Sequence, residues 1–244
     1  MPANTLPSGI DALFLLADRI HAGLEVHGPW LGIDRAAEMA EALREARGTK
    51  NAFAAARARK AAAARRFAAA DETLTAWLAK ARLVVMLALG GAWSERWLEA
   101  GFTHRRTHVP KRLAARIALG RRLAAFLAEH PEYAVPFAGV SAEGARTICG
   151  EIISAEREVR AAKIEAAKCK QSRDTAEKAL RWVMHGVIVM LGALLGKGDP
   201  RWLAFGLNQP KPGAPARVRR VQSATGAEVI PLPEAAPACE RVIA

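Results

Sequence analysis

Apolar residues recur at alternating spacings of three and four along two long stretches of the chain. In residues 34–89 the spacing selects Met39, Ala42, Ala46, Thr49, Phe53, Ala56, Lys60, Ala63, Phe67, Ala70, Leu74, Trp77, Ala81, Val84 and Ala88, with Thr49 and Lys60 as polar exceptions. In residues 141–195 it selects Ala145, Ile148, Ile152, Ala155, Val159, Ala162, Ala166, Cys169, Arg173, Ala176, Leu180, Val183, Val187, Met190 and Leu194, with Arg173 as the polar exception. A heptad pattern of this length predicts two helices of about 50 residues, each about 75 Å long, unless Gly48 or Gly186 interrupts them.

Shorter helices are expected before each long one, with ends marked by capping residues and prolines. The first is predicted over about residues 10–25, behind the N-cap candidate Ser8, and it is expected to end in a loop with the sequence His-Gly-Pro-Trp. Asp34 is the expected N-cap of the first long helix. Pro110 is expected to open the second short helix and Pro131 to close it, and Ser141 is the expected N-cap of the second long helix.

The chain repeats itself after each long helix. The sequence RWLEAGF at residues 96–102 returns as RWLAFGL at residues 201–207, so Trp202 and Gly206 correspond to Trp97 and Gly101 at a spacing of 105. Trp77 matches Trp182 at the same spacing, and residues 84–87 match residues 188–191 at a spacing of 104. The pattern indicates a tandem duplication of a unit made of a short helix, a long helix and an Arg-Trp-Leu turn.

The duplication predicts an all-α fold, an elongated helical bundle in which the two copies bury each other's apolar faces. Repeat 1 covers residues 1–107, and repeat 2 covers residues 108–207 and packs with repeat 1 as one domain. Trp97 and Trp202 are expected to anchor the turns as buried aromatic side chains, and Gly101 and Gly206 to permit a left-handed backbone. Residues 208–244 form a proline-rich tail that is expected to be irregular or partly β.

Composition supports helices and leaves open what binds to the surface. Alanine is the most frequent residue, 51% of the residues are hydrophobic, and there is only one tyrosine, which favours helices with close contacts over an all-β fold. The net charge is +12, from 36 lysines and arginines against 24 acidic residues. Such an excess suits an anionic partner, but it also suits helices whose solvated faces simply carry charge.

A basic run on the first long helix is the candidate nucleic-acid-binding region. It contains Arg57, Arg59, Lys60, Arg65 and Arg66. At 100° per residue these side chains point around the whole helix and form no single stripe. There is also no zinc-finger spacing and no RNA-binding aromatic signature. The alternative function is therefore nonspecific nucleic-acid binding, without sequence readout.

Other motifs do not have the spacing that catalysis or metal binding needs. The two histidines of HRRTH, residues 104–108, precede Pro110 in a loop, and no Glu-x-x-His pair for a di-iron site occurs. GALLGK at residues 192–197 lacks one residue between its glycines and the Ser or Thr of a phosphate-binding loop, and GVSAEG at residues 139–144 misses the nucleophile-elbow spacing. No catalytic residue, metal or cofactor is predicted, and an enzyme with an unseen site is a third, weaker reading.

The cysteines and the N-terminus favour a reduced, cytoplasmic setting. Cys149 and Cys169 lie 20 residues apart on one predicted helix, about 30 Å from each other, so they cannot pair. The N-terminus has no basic segment before its apolar residues, so no secretory signal is expected. The most apolar stretch, residues 183–195, is too short to span a bilayer, and no membrane association is predicted.

A family resemblance begins at DPRWLAFGLNQPKPGAP, residues 199–215. This stretch resembles a group of uncharacterised bacterial proteins in which a helical repeat region ends in a DPRW-x-AFGLN motif and leads into a fibronectin type III domain. The resemblance implies strands near residues 216–221, 228–233 and 239–243, and it supplies no catalytic residues. About 30 residues cannot close a sandwich that needs about 100, so a truncated relative is expected.

The leading functional hypothesis is a non-enzymatic helical scaffold or protein-interaction module. Long heptad patterns and small-residue contacts suit association, so a protein partner or self-association is expected. No small-molecule substrate is identified from the sequence. Nucleic-acid binding through the basic run is the alternative.

Overall fold

A computed structural model describes residues 4–103 and 105–210, which belong to one compact unit. They form an all-α bundle, as predicted. The α-helices of this part are α1 (Ile10–Leu31), α2 (Ala36–Leu89), α3 (Arg96–Glu99), α4 (Leu113–Glu129), α5 (Ala142–Leu194) and α6 (Arg201–Ala204). Two short 3-10 helices, Pro131–Tyr133 and Pro136–Ala138, connect α4 to α5.

The long helices α2 and α5 pack side by side in opposite directions. Early in α2, Phe53 lies under the guanidinium of Arg173, which is late in α5. Later in α2, Arg66 donates to the earlier α5 residue Glu158 at 2.9 Å. The pairing is therefore antiparallel, a point that the heptad pattern left open. The helices contain 54 and 53 residues, so each is about 80 Å long.

Burial confirms the heptad pattern along nearly the whole of both helices. Every predicted position on α2 is buried or half-buried except Lys60, and every one on α5 except Leu194. Neither Gly48 nor Gly186 interrupts its helix.

Two separate hydrophobic clusters lie at the two ends of this helix pair. The α1 cluster joins α1, the start of α2, the end of α5 and α6; its buried members are Leu13, Phe14, Ala17, Ile20, Leu24, Ile33, Met39, Leu43, Ala46, Ala176, Leu180, Val183, Met184, Val187, Leu191, Leu195, Trp202, Phe205 and Leu207. The α4 cluster joins the end of α2, α3, α4 and the start of α5; its buried members are Leu74, Trp77, Leu78, Ala81, Val85, Trp97, Ala100, Phe102, Ile117, Leu119, Leu123, Ala124, Phe126, Leu127, Val140, Ala145, Cys149 and Ile152. Each cluster covers the apolar face of one short helix.

The register of the duplication in the long helices differs from the one that residue identity predicted. Trp77 is 5% exposed, whereas its predicted match Trp182 is 67% exposed. Buried positions agree instead at a spacing of 106, which relates Leu74 to Leu180 and Val85 to Leu191. The reason is geometric, because a shift of one residue rotates a side chain by 100° around the helix.

The first helix continues beyond its predicted end. The His-Gly-Pro-Trp segment was expected to be a loop but is the last part of α1, with Pro29 inside the helix. Gly32 ends the helix at a φ of 68°, and Ile33 donates to the carbonyl oxygen of Gly28 at 2.9 Å. This is a Schellman cap, and buried Ile33 secures it.

Three further helix starts differ from prediction, and one agrees. The N-cap residues are Gly9 for α1 and Arg35 for α2, where Ser8 and Asp34 were expected. Helix α4 begins at Leu113, later than Pro110 suggested. At the start of α5 the prediction is confirmed, because Oγ of Ser141 accepts the backbone N–H of Gly144 at 3.0 Å.

Residues 1–3, 104 and 211–244 lie outside the described part of the chain. The predicted fibronectin-like strands, between residues 216 and 243, therefore fall outside it. Across the described residues, every helix is too short or too polar to cross a membrane.

Candidate interaction surfaces

The two Arg-Trp-Leu turns, residues 96–102 and 201–207, have the same backbone arrangement. The N–H of Phe102 donates to the carbonyl of Trp97 at 2.9 Å, and the N–H of Leu207 to the carbonyl of Trp202 at 3.1 Å. Both tryptophans are buried. The φ angles of Gly101 and Gly206 are 95° and 69°, a left-handed backbone that favours glycine.

Each turn packs on the short helix of the other repeat. A Cβ added to Gly101 would lie 2.5 Å from Cβ of Arg122 in α4, and one added to Gly206 would lie 2.8 Å from Cβ of Arg19 in α1. Arg19 and Arg122 therefore occupy equivalent positions in the two short helices, 103 residues apart in the sequence. The predicted anchors therefore join the two repeats into one unit.

The two anchors differ in how their indole groups are bonded. Nε1 of Trp202 donates to the carbonyl of Gly196 at 3.1 Å. Within the described residues, Nε1 of Trp97 is buried without an acceptor, as are Nε1 of Trp93 and Oγ of Ser94. The contrast distinguishes the first turn from the second.

Between the end clusters, α2 and α5 are the only elements in the described part of the chain. We call this part the rod, residues 51–66 of α2 and 157–175 of α5, which belong to neither cluster. Alanines such as Ala56, Ala63 and Ala166 supply its buried contacts. Sixteen residues of helix rise about 24 Å, so the rod separates the two ends by at least that distance.

The five candidate nucleic-acid-binding residues all lie on the rod and are exposed: Arg57, Arg59, Lys60, Arg65 and Arg66. The chain has no acidic residue between Glu45 and Asp71. Arg66 pairs with Glu158, and no carboxylate of the described residues lies within ion-pair distance of the other four. As far as residues 4–103 and 105–210 are concerned, the run contacts α5 and is otherwise exposed to solvent, in agreement with the angular spread of its side chains.

Large apolar side chains are exposed where each short helix passes into a long one. Trp30, in the last turn of α1, is 89% exposed, and Phe137, between α4 and α5, is 96% exposed. Because α2 and α5 start at opposite ends of the antiparallel pair, these two side chains lie at opposite ends of the molecule. The heptad analysis missed both, since neither belongs to a long helix.

The remaining sequence motifs have structural positions. Ser141 of the GVSAEG segment caps α5, and GALLGK begins in the last turn of α5, so a helix precedes it. Cys149 and Cys169 are free thiols. His104 of the HRRTH segment lies outside the described residues. Among the residues that are described, no three His, Cys, Asp or Glu side chains are grouped to hold a metal ion.

Comparisons with protein families, with curated proteins and with solved structures find no match to this chain. The resemblance of residues 199–215 to the DPRW-x-AFGLN proteins therefore stays a prediction.

Proposed function

We propose that this protein is a non-enzymatic helical scaffold that binds protein partners, or a second copy of itself, at the two ends of its rod. The observation that carries the proposal is the exposure of Trp30 and Phe137 at opposite ends. Trp is one of the residues that most often dominate the binding energy at protein interfaces, and Phe is enriched at such interfaces.

The form of the molecule supports this proposal. The rod keeps the two ends apart, and each end is a small cluster with its own buried core. A rigid spacer with an apolar group at each end suits an assembly role. A reduced, cytoplasmic setting and kinship with the DPRW-x-AFGLN proteins are part of the same proposal, and the free thiols agree with that setting.

The test compares end variants with a matched variant in the rod. Trp30→Ser and Phe137→Ser remove an apolar group from each end, and Ile164→Ser removes one from the rod, where Ile164 is 59% exposed. Sedimentation velocity over a concentration series measures self-association, and affinity capture followed by mass spectrometry measures partner retention. We expect both end variants to lose association that Ile164→Ser retains. Association that all three variants retain equally would contradict the proposal.

A second candidate function is nonspecific nucleic-acid binding by the rod. The acid-free run between Glu45 and Asp71 favours it, because unneutralised lysines and arginines bind phosphates with release of counterions. The run surrounds the helix, which suits backbone contacts more than base readout.

Gel-shift titrations over a salt series test this second candidate. The variant Arg59→Gln/Lys60→Gln/Arg65→Gln should weaken binding and lower the slope of log K against log salt by up to about 3, close to one unit for each lost phosphate contact. Its control, Lys80→Gln/Lys178→Gln/Lys197→Gln, removes the same charge from exposed positions outside the run. Equal weakening by both variants, or no shift at low salt, would rule out the rod as the binding site.

A further inference from the structure

A cavity of about 630 Å³ opens beside the first Arg-Trp-Leu turn, between Gly101 and the first half of α4. Four cationic side chains line it: Arg106, Lys111, Arg112 and Arg122. Pro110, Ala115 and Ala118 supply accessible apolar surface. The volume lies in the range of small-molecule sites, and a lining of apolar surface with a few charged groups is typical of them.

Within residues 4–103 and 105–210, no carboxylate neutralises the charge of this cavity. No aspartate or glutamate of these residues lines it, and none forms an ion pair with any of the four cations. The α4 helix also begins here, with Arg112 at its N-cap and no side chain capping its first N–H groups. Like charges held together are mutually repulsive, and a helix N-terminus adds partial positive charge. An anion in the cavity relieves both.

The other repeat is the internal control for this arrangement. At the spacing of 103 that relates Arg122 to Arg19, Lys111 and Arg112 correspond to Ser8 and Gly9. There the chain itself lies against the turn, because Asn4 both donates to and accepts from the backbone of Asn208. The second turn therefore packs without counterparts of Lys111 and Arg112, so these two cations are not needed for the fold of the first turn.

We propose that this cavity binds a small phosphorylated molecule with an apolar or aromatic body. The phosphates lie among Lys111, Arg112 and Arg122, with charge-assisted hydrogen bonds from the guanidinium groups. The body of the ligand lies against Pro110, Ala115 and Ala118. No covalent step is involved, and the site is independent of the scaffold function proposed above.

Isothermal titration calorimetry with the full chain at constant ionic strength tests the site. The probes are pyrophosphate, ADP and adenosine, which separate the anionic part of the ligand from its apolar part. We expect one site per chain for ADP and for pyrophosphate, with ADP bound more tightly, and no binding of adenosine. Binding of adenosine without binding of pyrophosphate, or no saturable binding of either anion, would overturn the proposal.

Matched variants locate the site. Arg122→Gln should weaken ADP binding at least tenfold, because each charge-assisted hydrogen bond contributes about that much. Arg19→Gln, at the equivalent position of the other repeat, should change it less than twofold. Lys111 is exposed, so Lys111→Gln tests the cavity even if the loss of Arg122 destabilises the turn. The triple rod variant should bind ADP as the unmodified chain does. Equal weakening by Arg19→Gln, or by the rod variant, would place binding elsewhere and refute the proposal.

Discussion

Phe205 packs its ring against Gly23, and the other repeat has the large and small residues exchanged at these positions. A Cβ on Gly23 would lie 2.6 Å from Cδ1 of Phe205. The equivalent of Gly23 in α4 is Phe126, and the equivalent of Phe205 in the first turn is Ala100; both are buried in the α4 cluster. The two positions thus carry Gly23 and Phe205 at one end of the molecule and Phe126 and Ala100 at the other, so the phenyl ring belongs to the turn in one case and to the short helix in the other.

This exchange predicts that Gly23 tolerates no larger side chain. Gly23→Ala should lower the free energy of unfolding by about 1–3 kcal/mol, because fully buried Phe205 has no room to move. Gly48→Ala is the matched control in α2, where a Cβ meets no atom within 4 Å, and it should be neutral or stabilising by up to about 1 kcal/mol. Urea unfolding monitored by circular dichroism measures both. Equal stability of the two variants would show that the Phe205 contact is not restrictive.

A second prediction separates backbone strain from contact at the first turn. Gly101→Ala introduces a left-handed alanine and a Cβ 2.5 Å from Cβ of Arg122. Gly139→Ala introduces the strain alone, since Gly139 has a φ of 75° and open space around it. The strain costs about 1–2 kcal/mol. Chemical denaturation should show a loss at least about 1 kcal/mol larger for Gly101→Ala, and equal losses would argue against the turn as a junction between the repeats.

The helix caps provide a third prediction. Ser141→Ala removes the acceptor for the N–H of Gly144 and should cost about 0.5–2 kcal/mol of stability. Ser8→Ala is the natural comparison, because Ser8 has the sequence character of a cap but forms no side-chain cap in the structure. Its effect on thermal unfolding should be negligible. A comparable loss from Ser8→Ala would contradict the observed start of α1.

Thiol labelling provides a fourth prediction. Burial raises the pKa of the Cys149 thiol, although Arg121 acts in the opposite direction. A raised pKa reduces the thiolate fraction at a given pH, so native Cys149 should react with iodoacetamide much more slowly than half-buried Cys169 at pH 8. The rate at Cys149 should still be rising at pH values above the ordinary thiol pKa of about 8.5, where the rate of a thiol with that pKa levels off. Peptide mass spectrometry assigns each site, and faster labelling of Cys149 would contradict its burial.

The polar exception on α5 gives a fifth prediction. The guanidinium of Arg173 lies 4.6 Å from the ring centroid of Phe53, a cation–π contact that contributes about 0.5–1 kcal/mol near a surface. A double-mutant cycle of Arg173→Gln with Phe53→Leu should give a coupling energy of that size. The cycle of Arg57→Gln with Phe53→Leu should give less, because Arg57 lies 5.9 Å away. Absence of coupling at Arg173 would show that the contact adds no stability.

Heptad spacing was sufficient to predict the long helices because their buried positions recur every three to four residues, and each short stretch of sequence contains this pattern. It could not separate the two charged exceptions, Lys60 and Arg173. Lys60 lies on the rod, where α5 is the one neighbouring helix, and its side chain stays in water. Arg173 is half-buried over a ring from the partner helix. The difference depends on which residue lies across the pair, and one helix's sequence does not contain that information.

Of the candidate surfaces, the one that depends on local sequence could be predicted, and the one that depends on contacts between distant residues could not. The basic run could be predicted with its angular spread, because both follow from helix geometry. The cavity could not, although RRTHVPKR at residues 105–112 shows its charge. Its existence depends on how this segment passes over α4 and on the distant Gly101–Arg122 contact.

The two end clusters are formed by different ranges of the chain, and this difference sets the order in which they can fold during synthesis. The α4 cluster is complete within residues 74–152, a single continuous stretch. The α1 cluster unites residues 13–46 with residues 176–207. During synthesis, the apolar face of α1 therefore remains exposed until almost all of the described residues have been translated. Nascent chains carrying α1 should depend on chaperones during this interval, whereas the α4 end matures early.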